Sequence, residues 1–191
     1  CMDDAIGELL DLLDDYEIAE DTLVIVFSDN GGSGIADNTP LRGRKSTMWE
    51  GGLRVPCIVR WPAKLPAGKT NDEFLTSLEI LPTVADATEA KRDERIVLDG
   101  FNMLPVLQGD TNSTRESMFW QRRNHQAARV GDWKWISLAG KQSLFDLSKD
   151  VSEEHDLADE RPEVLQQMRA HFASWRKEMD ATEPRGPFRD Y

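Results

Sequence analysis

Apolar residues fall at Ile6, Leu9, Leu10 and Leu13, the i, i+3, i+4, i+7 spacing that lines one face of a helix. The opposite face is acidic, and EIAED closes the pattern. Thr22 to Phe27 is then a run of β-branched and aromatic residues without polar alternation. Such a run reads as a strand buried on both faces, as in a parallel or mixed sheet covered by helices. Gly31 to Gly52 has neither period and is rich in Gly, Ser, Asn and Arg. A structureless segment of that length inside a compact domain is characteristically functional or disordered. Strand character returns over Leu53–Trp61, with Pro56 at a strand start or an edge. Ser77 is the expected N-cap of a helix through LEILPTVADAT, with Pro82 in its first turn. KRDER reads as a solvated connector, and LDGFNMLPVLQGD as a turn with a short helix.

The pattern changes near residue 112. ESMFWQ, QAARVG, WKWIS and SLFDL are short strands, with Gly131-Asp132 and Gly140-Lys141 as turns of an antiparallel meander. A helix starting at Pro162 sets Leu165, Met168, Phe172, Trp175 and Met179 on one core-facing side, and TEPRGPFRDY is expected to be extended. The fold class is therefore α/β over residues 1–112, followed over 113–191 by a small α+β subdomain, an antiparallel sheet with one long helix.

Composition narrows the function. The net charge is −12, yet residues 42–71 carry seven bases and one acid, while residues 1–41 carry eleven acids and no Lys or Arg. A basic island in an acidic chain suits a small anion, or is simply a solvated loop. It lacks the aromatic interleaving of a single-strand nucleic-acid binder, so no nucleic-acid partner is expected. No apolar run is long enough to span a bilayer, and no signal peptide is visible. The chain opens on Cys1 already in helical rhythm, so we expect a longer protein upstream. Cys1 and Cys57 form neither a disulfide framework nor a zinc pattern, and Cys57, inside VPCIVRW, is expected to be a small buried hydrophobe.

Asp29 and Asn30 follow directly on the first strand, in TLVIVFSDNGG. Ligands of open α/β sheets collect beyond the carboxyl ends of strands, and a carboxylate with an amide carbonyl is a pair of hard oxygen donors fit for Ca²⁺ or Mg²⁺. Asp-Asn-Gly-Gly is equally a good turn, and two ligands fall short of the six or so that a hard cation takes. Lys45, in PLRGRKSTMWEGGLRVP, could set a compact ammonium against an oxyanion beside such a cation, or be an exposed lysine. His125, His155 and His171 share no metal spacing, although His125 could approach a cleft.

These segments together resemble the second half of the type I sulfatases, the arylsulfatase-like members of the alkaline phosphatase superfamily. TLVIVFSDNGG, PLRGRKSTMWEGGLRVPCIVRWP, SLEILPTVADA, LDGFNMLPVLQG, RVGDWKWI and SLFDLSKDVSEEHDLA occur in the family's order and cover nearly the whole chain. The resemblance implies the C-terminal part of an alkaline-phosphatase-like mixed sheet flanked by helices, then the family's C-terminal subdomain. It implies that Asp29 and Asn30 help bind one divalent cation, usually calcium, and that Lys45 contacts the sulfate ester. Glu50, Gly51, Gly52 and Arg54 shape the loop, and His125 is a further candidate for substrate contact. The family's formylglycine arises in a Cys/Ser-x-Pro/Ala-x-Arg motif that is absent here: Cys1 is followed by MDDA and Cys57 by IVRW. It is expected upstream, so this chain alone should not turn over sulfate esters. Val151 and Asp156 stand where the family commonly has Pro and Asn, and Glu79 where it often has Asp. The expected substrate is a sulfated small molecule or carbohydrate, and export is a family expectation. Two other functions remain open: a phosphonate or phosphodiester hydrolase of the same superfamily, and a non-catalytic remnant that binds anionic glycans.

Overall fold

The computed structural model describes residues 1–91, 93 and 95–182. The chain falls into two compact units, residues 1–27 with 57–115, and residues 28–56 with 116–191.

In the first unit, α1 (Met2–Asp15) is the helix that the leucine spacing predicts. Its stripe is only half-covered: Ile6, Leu10 and Leu13 are half-buried and Leu9 is exposed. β1 (Val24–Phe27) pairs antiparallel with β2 (Cys57–Arg60) in a two-stranded sheet, Val24 opposite Arg60 and Phe27 opposite Cys57. β1 is thus shorter than the apolar run and half-buried, not covered on both faces. Cys57 is exposed rather than buried, because it begins an edge strand.

Further along the first unit, α3 (Ile80–Ala87) follows a single 3₁₀ turn, Ser77–Glu79. The cap is Thr76, one residue before the expected Ser77. The Thr76 hydroxyl oxygen accepts the Leu78 N–H, and the Glu79 carboxylate reaches back to the Thr76 N–H, a capping box. Glu79 is fully buried and also ion-paired with Arg115. A carboxylate that both caps a helix and takes a guanidinium has its charge and lone pairs occupied, so it can be buried. α4 (Leu104–Gln108) ends at Gly109 in the left-handed region, φ 85°. KRDER lies partly outside the described residues, and so does TEPRGPFRDY after Thr182.

The second unit is built on a meander, β3 (Ser117–Arg122), β4 (His125–Val130), β5 (Trp133–Leu138) and β6 (Lys141–Asp146), all antiparallel in sequence order. Strand alternation supplies two apolar faces. Ala128, Trp135 and Leu144 pack on α5 (Pro162–Ala181) through Met168 and Phe172, with Leu165 and Trp175 alongside. Met179, placed on the same side by its spacing, is exposed instead, lying in the last turn of the helix. Ala127, Ile136 and Phe145 point to the other face, where Met48, Trp49 and Leu53 of the 28–56 segment cover them. Leu53 accordingly ends a short helix, α2 (Glu50–Leu53), instead of starting a strand. Among the described residues, no helix is long and apolar enough to cross a membrane.

Candidate functional site

Every residue singled out for chemistry lies in the second unit, three of them on the 28–56 loop. The loop closes on itself where Ser28 N–H meets the Pro56 carbonyl at 3.4 Å. Asp29 and Asn30 form its first turn, directly after β1. The Ser28 hydroxyl donates to the Asn30 carbonyl at 2.7 Å, and the Asn30 side-chain amide donates to the Asp29 carboxylate. The two side chains therefore converge, with Asp29 exposed and Asn30 half-buried.

Lys45 is exposed, and its backbone N–H donates to the Gly32 carbonyl at 3.0 Å. At the preceding residue the turn is held again: Gly31 N–H donates to the Gly52 carbonyl, 3.2 Å. The Lys45 segment is thus stitched to the Asp29–Asn30 turn by main-chain hydrogen bonds. The next residue, Ser46, has φ 72°, a left-handed conformation that costs a non-glycine residue free energy and is kept only where surroundings enforce it. Among the described residues, Lys45 has no ion-pair partner, which leaves its ammonium free for a ligand anion. His125 starts β4 opposite Arg122 and Leu138, half-buried. No hydrogen bond or ion pair joins it to Asp29, Asn30 or Lys45 among the described residues.

A divalent cation would find two converging oxygen-bearing side chains at Asp29 and Asn30, an acceptable part of a ligand set. No group of three or more His, Cys, Asp or Glu side chains able to hold a metal occurs among the described residues. As oxygen donors the two residues are of the right chemical kind for part of such a shell, and in this structure the Asn30 amide nitrogen, rather than its oxygen, faces the Asp29 carboxylate.

Beneath the loop lies a charge cluster absent from the sequence reading. Lys134, on β5, is fully buried; its ammonium donates to Glu50 Oε1 at 2.7 Å and lies 2.8 Å from Glu153 Oε1. The second contact is ionic only, since Glu153 Oε1 has no aligned hydrogen bond. Glu153 Oε2 accepts the Glu50 backbone N–H at 2.6 Å, and the Glu153 carbonyl accepts from Arg42 Nη1 at 2.8 Å. Arg42 in turn stacks over Trp49, 3.8 Å from its centroid. Burial pushes the Glu153 carboxyl up, against the pull of the Lys134 ammonium and the Glu50 N–H. One signal was available in the sequence: Trp133 to Ile136 is apolar on both faces of its strand, so a covered sheet had to bury Lys134 as well.

Comparison with known proteins, by sequence and by fold, points to one family. The family model described as Sulfatase matches residues 1–90. Human steryl-sulfatase is 37% identical over 133 residues, 62% of this chain and 22% of that protein. An N-acetylgalactosamine-6-O-sulfatase of Bacteroides thetaiotaomicron is 30% identical over 87% of this chain and 39% of its own length. The chain belongs to the sulfatase family. Among solved structures, the chain is similar to Ps i-CgsB in complex with k-i-k-neocarrahexaose: TM-score 0.82 and 31% identity over 91% of this chain and 40% of that one. The chain thus spans between about a fifth and two fifths of these sulfatase relatives. The fold is that of the alkaline-phosphatase-like sulfatases, as the ordered motifs imply.

Proposed function

We propose that this chain forms part of a sulfuric ester hydrolase that cleaves sulfate monoesters of carbohydrate. The observation that carries the reading is the main-chain stitching of the Lys45 segment to the Asp29–Asn30 turn, in a chain similar to sulfatases over nearly its whole length. Asp29 and Asn30 would hold a divalent cation, calcium by family likeness. When bound, that cation supplies Lewis-acid polarisation of the sulfate oxygens. Lys45 donates to the ester oxygen and neutralises negative charge developing there as the alcohol departs. Among the described residues its ammonium has no carboxylate partner, so it loses no such ion pair on meeting the substrate. The nucleophile, a formylglycine in this family, has no motif within these 191 residues. A sulfated sugar is proposed on the likeness to the sugar sulfatase and to the carbohydrate complex, at 30% and 31% identity.

The test is hydrolysis of 6-O-sulfo-N-acetylgalactosamine, a sterol sulfate and an aryl phosphate diester by the full-length protein, with Lys45→Ala beside it. Removing a preorganised donor to a developing oxyanion typically costs about 10²–10³ in kcat, and a loss of that order is expected. Activity surviving within about tenfold, about 1.4 kcal/mol of barrier, removes Lys45 from the mechanism. A phosphodiester rate above the sulfate rates overturns the sulfatase reading.

A further inference from the structure

The loop is held to the sheet by two different kinds of contact. Met48 and Trp49 bury apolar surface on Ala127, Ile136 and Phe145, with Trp49 edge-on to Phe145 at 5.6 Å. Apolar burial is non-directional; it holds the segment down without fixing its rotation or register. The Lys134–Glu50–Glu153 cluster is directional, and its three members come from β5, α2 and the turn after β6. Buried ion pairs contribute weakly to stability, since desolvation offsets the Coulomb attraction, so stability alone gives no reason for one here. Two further features mark this cluster as a geometric device. Glu153 is buried in the left-handed region, φ 56°, a conformation held only where neighbours over-determine it. Its backbone carbonyl and both carboxylate oxygens are all engaged, by Arg42, Glu50 and Lys134. Arg129, directly across from Lys134 in the β4–β5 ladder, stands in the field of Glu50, which opposes the effect of its burial.

From the cluster an unbroken main-chain path leads to the candidate site. Glu50 is followed by Gly51, whose N–H donates to the Arg42 carbonyl at 2.7 Å, and by Gly52, whose carbonyl accepts Gly31 N–H. Gly31 lies next to Asn30, and Gly32 accepts the Lys45 N–H. We infer that Lys134, with Glu50 and Glu153, is a positioning residue: the buried cluster fixes the loop that presents Lys45 and the Asp29–Asn30 pair. It touches neither substrate nor cation and acts through the loop alone. This rests on the proposed roles of Lys45, Asp29 and Asn30 for its catalytic meaning, though not for its structural content. Reactions are steep functions of placement, a displacement of about 1 Å costing on the order of 10² in rate.

The experiment is hydrogen–deuterium exchange by mass spectrometry on this chain at low micromolar concentration, comparing peptides from 28–56 with peptides from 117–146. Three variants enter the cluster from different elements: Lys134→Met, Glu153→Gln, and the triple Lys134→Met/Glu50→Gln/Glu153→Gln. The triple removes the three charges of the cluster together and remains informative where Lys134→Met fails to fold. Expected is exchange at least tenfold faster in 28–56, with the meander peptides and the melting temperature close to wild type in the triple. Unchanged protection of 28–56 in the triple overturns the inference. So does parallel loss of protection in loop and meander, which is what a merely structural role produces. In the full-length protein the triple should lower kcat on the sulfate ester while KM stays within about threefold, whereas equal retention of both overturns it. A full-length protein without sulfatase activity would defeat the proposed function, while the exchange pattern would still decide the positioning role.

Discussion

Gly31 has no room for a side chain. A Cβ there would lie 1.8 Å from the Gly51 carbonyl oxygen, a backbone atom that cannot swing aside. The close approach lets the Asp29–Asn30 turn sit against the Glu-Gly-Gly turn and donate across it. Gly31→Ala should therefore destabilise the second unit by about 1–3 kcal/mol, the usual cost of overpacking, and expose 28–56 to protease. Gly7 is the opposite case: it lies inside α1 with nothing within 4 Å of its would-be Cβ. Gly7→Ala should stabilise by about 0.5–1 kcal/mol through the entropy of the unfolded chain. Urea unfolding of both variants checks the pair; a loss of stability in Gly7→Ala, or none in Gly31→Ala, contradicts the packing described. The sequence places Gly7 in a helix and Gly31 in a turn, but only the long-range approach of Gly51 shows that Gly31 has no room. Local signals reveal which residues can turn, not which turns meet.

At the scale of an element, β6 is an edge strand whose pairing groups are taken up locally. Leu144 N–H donates to the Asp156 carboxylate at 3.0 Å, and the Leu144 carbonyl accepts Leu157 N–H at 2.8 Å. The segment after the strand thus returns to cover the edge, which protects it from pairing with another chain. Burial works against the Asp156 carboxylate, yet the Leu144 N–H, the Ser143 side chain, the Ala158 N–H and the Lys141 charge together outweigh it and hold the group below its ordinary value of 3.8. Asp146 is held low mainly by Lys149 and Ser148. The unfolded chain then binds more protons than the folded one just below pH 3.8, so stability is present above that pH and is lost as pH falls through the folded-state values. Asp156→Asn keeps an acceptor for Leu144 N–H but removes the titration. Its melting temperature should fall less than that of wild type between pH 5 and about pH 2.5. Equal falls in the two proteins would mean that Asp156 does not contribute to the acid limb. Asparagine is the residue the family commonly has here, so the substitution tests whether this chain's departure matters to the turn.

For the whole molecule, regular elements were legible in sequence wherever periodicity alone defines them: α1, the four strands of the meander and α5. What escaped was whatever depends on covering layers. Lys134 alternates with two tryptophans, and although Ile136 marks its face as apolar, the partners that bury it, Met48 and Trp49 on that face and Glu50 and Glu153 at its ammonium, lie far off in sequence. Asp29, Asn30 and Lys45 could be named from local chemistry and family likeness, but nothing local linked the segments that carry them. Cys57, Leu9 and Met179 erred the other way, read as covered and found exposed. For Cys57 and Leu9 the exposure belongs to a wider feature of the first unit. Leu9, Leu12, Phe27, Ile58 and Leu81 are 52%, 48%, 43%, 67% and 61% exposed, beside a sheet of only two strands. Large exposed apolar side chains next to unpaired strand edges favour association between copies. The net charge of −12 opposes it by long-range repulsion, which salt screens: the Debye length falls from about 10 Å at 0.1 M to about 3 Å at 1 M. The isolated chain should therefore self-associate, and more strongly in 1 M NaCl than in 0.1 M, the reverse of an association built on ion pairs. Ile58→Lys adds an edge charge on β2 at an exposed position, so it should reduce the light-scattering mass with little change in melting temperature. A chain monomeric at both salt concentrations, or a mass unaffected by Ile58→Lys, would show that this sheet does not drive association.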